Sequence, residues 1–407
     1  MQEYPTRLSF PITSQDGRSS LLVGIASSRR IGEDLRATGC GGHPSSRAAT
    51  NSRSQRHALR VMWQLMAPVS SNWVHDARTT LKNSETNFFA VNPYRYWFDF
   101  VVSAVLAYTC AGIYLAAPLF SWPQLLAFPF AVFWLYRSGS LIHEVAHLPR
   151  HEMRTFKVVW NIVVGVVTLA PSTFFTAHHR DHHSGKMYGT PEDPEYVVNV
   201  FRRGSLPSIA LYALHILLFP SFVFLRFLLA PLSFLHPQIR EFTLRRLSSF
   251  TLNWHYEKNL ARLDRKTFAL VELACSARAA LILIGVFAGL TEWPRLPLMY
   301  LLAASTLMLN QMRQLADHHF ESDGQPMPID AHIVDSCNYV DRDFLTWLFF
   351  PFAIKYHALH HMFPSLPYHN LRSAHQYLAE HLPADSPYHE LNQPTWWSAA
   401  SRTFARA

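Results

Sequence analysis

The chain has 407 residues, of which 49% are hydrophobic and only 16% charged, with a formal net charge of +8. Low charge and apolar residues gathered into long blocks argue against an ordinary soluble domain. They favour a membrane protein, whose basic excess faces the cytoplasm, over a nucleic-acid binder. Four cysteines, Cys40, Cys110, Cys275 and Cys337, fall in no CxxC or zinc-like spacing, which leaves out a disulfide framework.

Residues 1–65 are rich in Ser, Arg, Gly and Ala and contain no Lys. They read as a disordered extension or a mis-assigned start, with Met62 or Met66 as the first residue. A transit peptide shares the Arg-rich, acid-poor bias. Residues 10–26 hold no secretory-signal core. The main domain is expected over 66–390 and a tail over 391–407.

The first apolar block, 96–120, carries one charge, Asp99, and is long enough to cross a bilayer. The second, 125–142, runs directly into His143. The short link Ser121-Trp122-Pro123 makes the two a transmembrane hairpin with an interfacial turn. Block 158–175 lies between two His clusters. A single crossing there would part them, so it reads as interfacial or re-entrant. Block 207–235 contains Arg226, Pro220 and Pro231 and reads as interfacial on the same argument. Blocks 267–290 and 296–315 form a second hairpin, broken near Thr291-Glu292-Trp293-Pro294. Segment 239–266 holds seven basic and three acidic side chains. Positive residues favour the cytoplasm, which places the His clusters there. The expected fold is an all-α integral membrane protein. It has two transmembrane hairpins (about four spans), interfacial helices and a cytosolic His-rich cap.

Three of the clusters drawn from the 23 histidines carry the chemistry: His143-Glu144-Val145-Ala146-His147, His178-His179-Arg180-Asp181-His182-His183, and His357-Ala358-Leu359-His360-His361. Spacings of three and four put imidazoles on one helix face. Converging imidazoles repel when protonated, and a cation in their place requires them neutral. His143, His147, His179, His182, His183, His357, His360 and His361 make eight ligands, too many for one ion and suited to two. Zinc favours four ligands and mixed donor sets. His318, at the end of the last block, is a ninth candidate, with Gln314 one turn before it placed to hold a metal-bound water. His178 and His151 are runners-up. Asp193 and Glu195 can orient ligands from behind. A solvated His pair explains one cluster alone, but not all three beside apolar hairpins.

These residues resemble the membrane fatty acid desaturase superfamily, bacterial type. HEVAH, HHRDHH and HALHH match its three His boxes in type, order and spacing. HALHHMFPSLPYHNL and YGTPEDPEY are similar to the stretches that follow the third and second boxes. The resemblance covers about residues 90–385. It implies four spans under a cytosolic cap holding two iron ions, with molecular oxygen as co-substrate. It also implies a His ligand at the end of the fourth span with an amide one turn earlier, which His318 and Gln314 match. There is no HPGG motif of a fused haem domain, so the electron donor is expected to be a separate ferredoxin or small cytochrome.

The leading expectation is a desaturase acting on a lipid acyl chain in the membrane. A hydroxylase or ketolase on a lipid or carotenoid uses the same site, and the boxes do not separate these reactions. A metal transporter would place ionisable groups at mid-membrane, whereas here the boxes lie at the ends of apolar blocks. A nonenzymatic scaffold has no use for nine converging histidines.

Overall fold

The structure is a computed structural model and describes residues 72–341 and 343–405. The extension read at 1–65 lies outside them. Helix α1 (Trp73–Lys82) buries Trp73, Val74, Ala77 and Leu81, one face at helical spacing. Helix α2 (Pro93–Ala116) starts where the Asn92 side chain accepts from the backbone N–H of Arg95, with Pro93 in the first turn. Helix α3 (Trp122–His147) returns alongside it. Ala111, Ala127 and Ala131 are buried together between the two, and small residues let helices approach closely in a bilayer. Outward lie Phe98, Leu126 and Phe130, 69%, 61% and 58% exposed, an apolar surface that lipid covers.

Pro149 follows Leu148 and stops α3. Block 158–175 then breaks up. It contains the end of α4 (Arg154–Trp160), a π-helical turn (Asn161–Val166) and the start of α5 (Ser172–His182). The Asn161 side chain closes this turn by accepting from the Ser172 N–H at 2.9 Å.

Next come α6 (Leu206–Leu228), α7 (Pro237–Arg246), α8 (Arg265–Phe287) and α9 (Arg295–Gln314). Among the described residues four helices have the length and composition to cross a membrane: α2, α3, α6 and α8. By length and composition this set differs from the expected one in two places. Helix α6, expected to be interfacial, qualifies. Helix α9, expected to be the fourth span, does not, because Asn310, Gln311, Arg313 and Gln314 make its last turns polar.

Composition alone does not say what α6 does. Just before it, Arg203 donates to the carbonyls of His319 (3.1 Å) and Phe320 (2.6 Å). Beyond it, Thr251 donates to the Pro194 carbonyl at 2.6 Å and Asn253 to the Asp193 carbonyl at 2.9 Å. The chain just before α6 and the chain just after α7 are thus tied to the loops beside the His clusters. Helix α6 packs against both α8 and α9. Glu272 of α8 lies between Arg226 of α6 (2.5 Å) and Arg240 of α7 (2.6 Å), with its side chain fully buried.

Helices α10 (Ile329–Val334), α11 (Phe344–Phe349), α12 (His357–Met362) and α13 (Tyr368–His381) follow. Segment 391–407, set apart in the sequence as a tail, is packed over the described part of its length. Strand β2 (Asn392–Gln393) pairs in parallel with β1 (Asn338–Tyr339), and α14 (Trp396–Phe404) follows. Trp396 Nε1 donates to the Met312 carbonyl and Thr403 Oγ1 to that of Leu315, which covers the end of α9.

Candidate metal centre

Four pieces of chain bring the nine candidate histidines together. The last turn of α3 carries His143 and His147. The C-terminal end of α5 carries His179 and His182, with His183 as its cap. Helix α12 is only six residues long, yet it carries His357, His360 and His361. His318 lies just past α9, where it bridges to Ser336.

The nine fall into two groups. His143, His147, His179, His183 and His360 form one; His182, His318, His357 and His361 form the other. Within each group the ligating nitrogens lie within 4.8 Å of one another. Adjacent residues part company: His182 and His183 serve different groups, as do His360 and His361. Each HxxHH box therefore gives an i, i+4 pair to one group and its i+3 member to the other. The rings of His183 and His361 stack at 4.1 Å across the boundary, so the groups are neighbours. Every member is buried except His147 and His183, which are half-buried. The runners-up stand outside both groups. His178 bonds the Phe174 carbonyl, and His151 is exposed.

Carboxylate and phenol groups fix which ring nitrogens are bare. His182 Nδ1 donates to Asp193 Oδ1 at 2.8 Å, and His179 Nδ1 to Glu195 Oε1 at 2.6 Å. Tyr188 donates its hydroxyl proton to Asp335 Oδ2 (2.7 Å) and accepts from His318 Nδ1 (2.8 Å). His182 and His318 consequently both present an unprotonated Nε2, and these two atoms lie 3.2 Å apart. Two lone pairs at that distance repel unless a cation sits between them. Both ring nitrogens of buried His143 likewise have no hydrogen-bond partner among the described residues. The donor set thus fits two soft-to-borderline metal ions held by neutral imidazoles.

Burial first, then the charge of neighbouring groups, pushes His179, His183, His318, His357, His360 and His361 well below the usual histidine range. His182 is the exception: burial, the largest single influence, lowers it, but the carboxylates of Asp193, Glu195 and Asp317 together outweigh burial and raise it. Burial pushes Glu195 and Asp335 up to about 7. The sign of the pH effect follows. Below about 6.5 the unfolded chain takes up protons that the folded histidines refuse, so stability falls as pH drops. His182 and the raised acids oppose this but are outnumbered. Bound metal adds to the effect, because protons compete for the same nitrogens. The thermal midpoint of the purified protein should therefore fall between pH 7.5 and 5.5, and a constant or rising midpoint would contradict the neutral buried cluster.

Of the tentative supporting residues, Asp193 touches the candidate ligand His182. The side-chain carbonyl of Gln314 instead accepts from Gln311 (2.7 Å) and Asn310 (3.4 Å), with no imidazole partner among the described residues. Tyr188, His332, Asp335 and Ser336 support the site without any sequence spacing to betray them. Of these, only Tyr188 lies in a stretch that resembles a family motif, the loop after the second box.

Residues 120–392 match the fatty acid desaturase family, a stretch that holds all nine histidines. The chain belongs to the fatty acid desaturase family. A protein of Caulobacter vibrioides (strain NA1000 / CB15N) named ceramide hydroxylase is 35% identical over 315 residues, covering 76% of this chain and 88% of that protein. No solved structure matches the chain. Membership makes it a membrane oxidoreductase of lipids. The family depends on two irons and oxygen, and the two His groups are compatible with that pair.

Proposed function

We propose that this desaturase-family chain hydroxylates a long-chain lipid of the ceramide type, using two irons held by the nine histidines. The observation that carries the chemistry is the division of those residues into a five-His and a four-His group with bare nitrogens facing inward. The observation that favours hydroxylation is the 35% identity to a ceramide hydroxylase over most of both chains. The second reading is acyl desaturation, favoured by the family description.

His143, His147, His179, His183 and His360 would hold one iron; His182, His318, His357 and His361 the other. Bound there, the pair supplies the oxygen activation needed to break an unactivated C–H bond. The protein's part is positional. Asp193, Glu195 and Tyr188 lock ring orientation and tautomer. Burial keeps water from the ligands and holds the imidazoles neutral. Glu144, between two box-one histidines, accepts from Tyr96 Oη at 2.7 Å and from the Tyr368 N–H at 3.3 Å, which anchors α3 to α2 and α13. Both reactions consume oxygen, two electrons and two protons. Electrons come from a separate carrier in this reading, and the basic 239–266 segment supports a cytoplasmic site.

The test is mass spectrometry of lipids from aerobic cells expressing either the wild type or His182→Ala. A ceramide-type lipid that gains one oxygen only with the wild type is the expected result. A species lacking two hydrogens would replace hydroxylation by desaturation at the same site. Identical lipid profiles in cells also supplied with a ferredoxin and its reductase would remove both readings.

A further inference from the structure

His332 belongs to none of the three boxes, yet it reaches the centre. It lies on α10 and is fully buried. Its Nε2 is 2.6 Å from His361 Nδ1, and its ring stacks on Tyr188 with centroids 3.5 Å apart. His361 Nε2 faces inward, 3.0 Å from His357 Nε2. One nitrogen of His361 thus points into the four-His group and the other points at His332. Asp193 stands in the same relation to His182, and Tyr188 to His318. Three of the four imidazoles in this group are braced from behind, each by a different kind of side chain.

We propose that His332 is a positioning residue, accepting the Nδ1 proton of His361 and so turning its Nε2 lone pair toward the metal of the four-His group. The inference rests on the metal-centre reading above. The required tautomer puts the His332 proton on its own Nδ1, a buried atom without a partner among the described residues. A core histidine retained only for packing would gain from pairing both nitrogens. His332 leaves one unpaired and spends the other on a ligand. Acceptors behind a ligating imidazole raise its basicity and fix its orientation, typically worth about 10–100-fold in metal affinity.

Two substitutions separate the acceptor from the ring. His332→Phe keeps an aromatic plane on Tyr188 and loses the acceptor. His332→Gln loses the ring and keeps an amide oxygen that accepts. The full chain is purified in detergent, stripped of metal and titrated anaerobically with cobalt(II), whose visible bands report each binding step. The wild type should take up two ions. His357→Ala identifies the step that belongs to the four-His group. His332→Phe should weaken that step about 10–100-fold and leave the other unchanged, while His332→Gln stays near the wild type. If the Phe variant does not give a monodisperse protein, His332→Leu takes its place. Wild-type affinity in the acceptor-less variant overturns the proposal. Equal weakening in the Gln variant also does, since it assigns the effect to packing. A wild type that binds no pair of ions removes the metal-centre reading itself, a separate failure.

Discussion

Alanine at His360 or at His182 is expected to abolish product formation while leaving the chain folded, with each variant losing a different ion. His360 belongs to the five-His group and His182 to the four-His group. Loss of a brace behind a ligand already costs about 10–100-fold, so loss of a ligand should cost more than about 100-fold in activity. Iron content, measured on purified protein by plasma mass spectrometry, should fall from two per chain toward one in each single variant. The double variant should hold almost none. His151→Ala, exposed and outside both groups, is the control and should match the wild type. A His360→Ala protein that keeps both irons and full turnover would remove His360 from the centre and dissolve the five-His group as drawn.

The second large effect concerns stability. Glu272 is wholly buried and neutralises two arginines: Arg226, whose side chain is 5% exposed, and Arg240, at 14%. Arg226 also donates to the Leu247 carbonyl and to Ser248, so it cannot swing away without breaking the α6–α7 connection. Removing the carboxylate leaves two guanidinium groups facing each other in a medium of low polarity. Breaking a buried pair by deleting one partner typically costs about 3–5 kcal/mol. Glu272→Ala should lower the thermal midpoint in detergent substantially, with Glu272→Gln in between because its amide oxygen still accepts. A Glu272→Ala protein melting with the wild type would mean that the triad contributes nothing to joining α6, α7 and α8.

The candidate ligands are legible in the sequence because spacing is a physical statement. Residues four apart on a helix share a face, so HEVAH and two HxxHH runs each declare a converging set before any fold is known. The split of His182 from His183 between groups is not legible, since it depends on where α3 and α12 meet α5. His332, Tyr188 and Asp335 are single residues in loops or short helices, and nothing in one dimension aims them at an imidazole. Asp193 is legible only as a carboxylate near a box. The spans show the limit of composition. Helix α9 packs against α3 and α6, which makes its polar last turns tolerable, and those same turns are what lead into His318. Helix α6 is the more apolar, yet the chain before it and the chain after α7 are tied to the loops beside the His clusters. Gln314 sits at the expected spacing, but Gln311, one turn earlier, claims its carbonyl.

The order in which the chain can fold follows from where the histidines lie along it. His182 and His318 are 136 residues apart, and His183 and His360 are 177 apart, yet each pair touches through its Nε2 atoms. Closing such long loops spends chain entropy before any contact repays it. The α2–α3 hairpin closes a loop of a few residues and can form early. The centre comes together only when α9 and α12 have returned to α3 and α5. Until then each box offers two or three imidazoles on an isolated helix, which is too few to fill either group. The complete set of nine exists only in a nearly finished protein, so a metal pair that needs all nine would have to wait on the last steps of assembly.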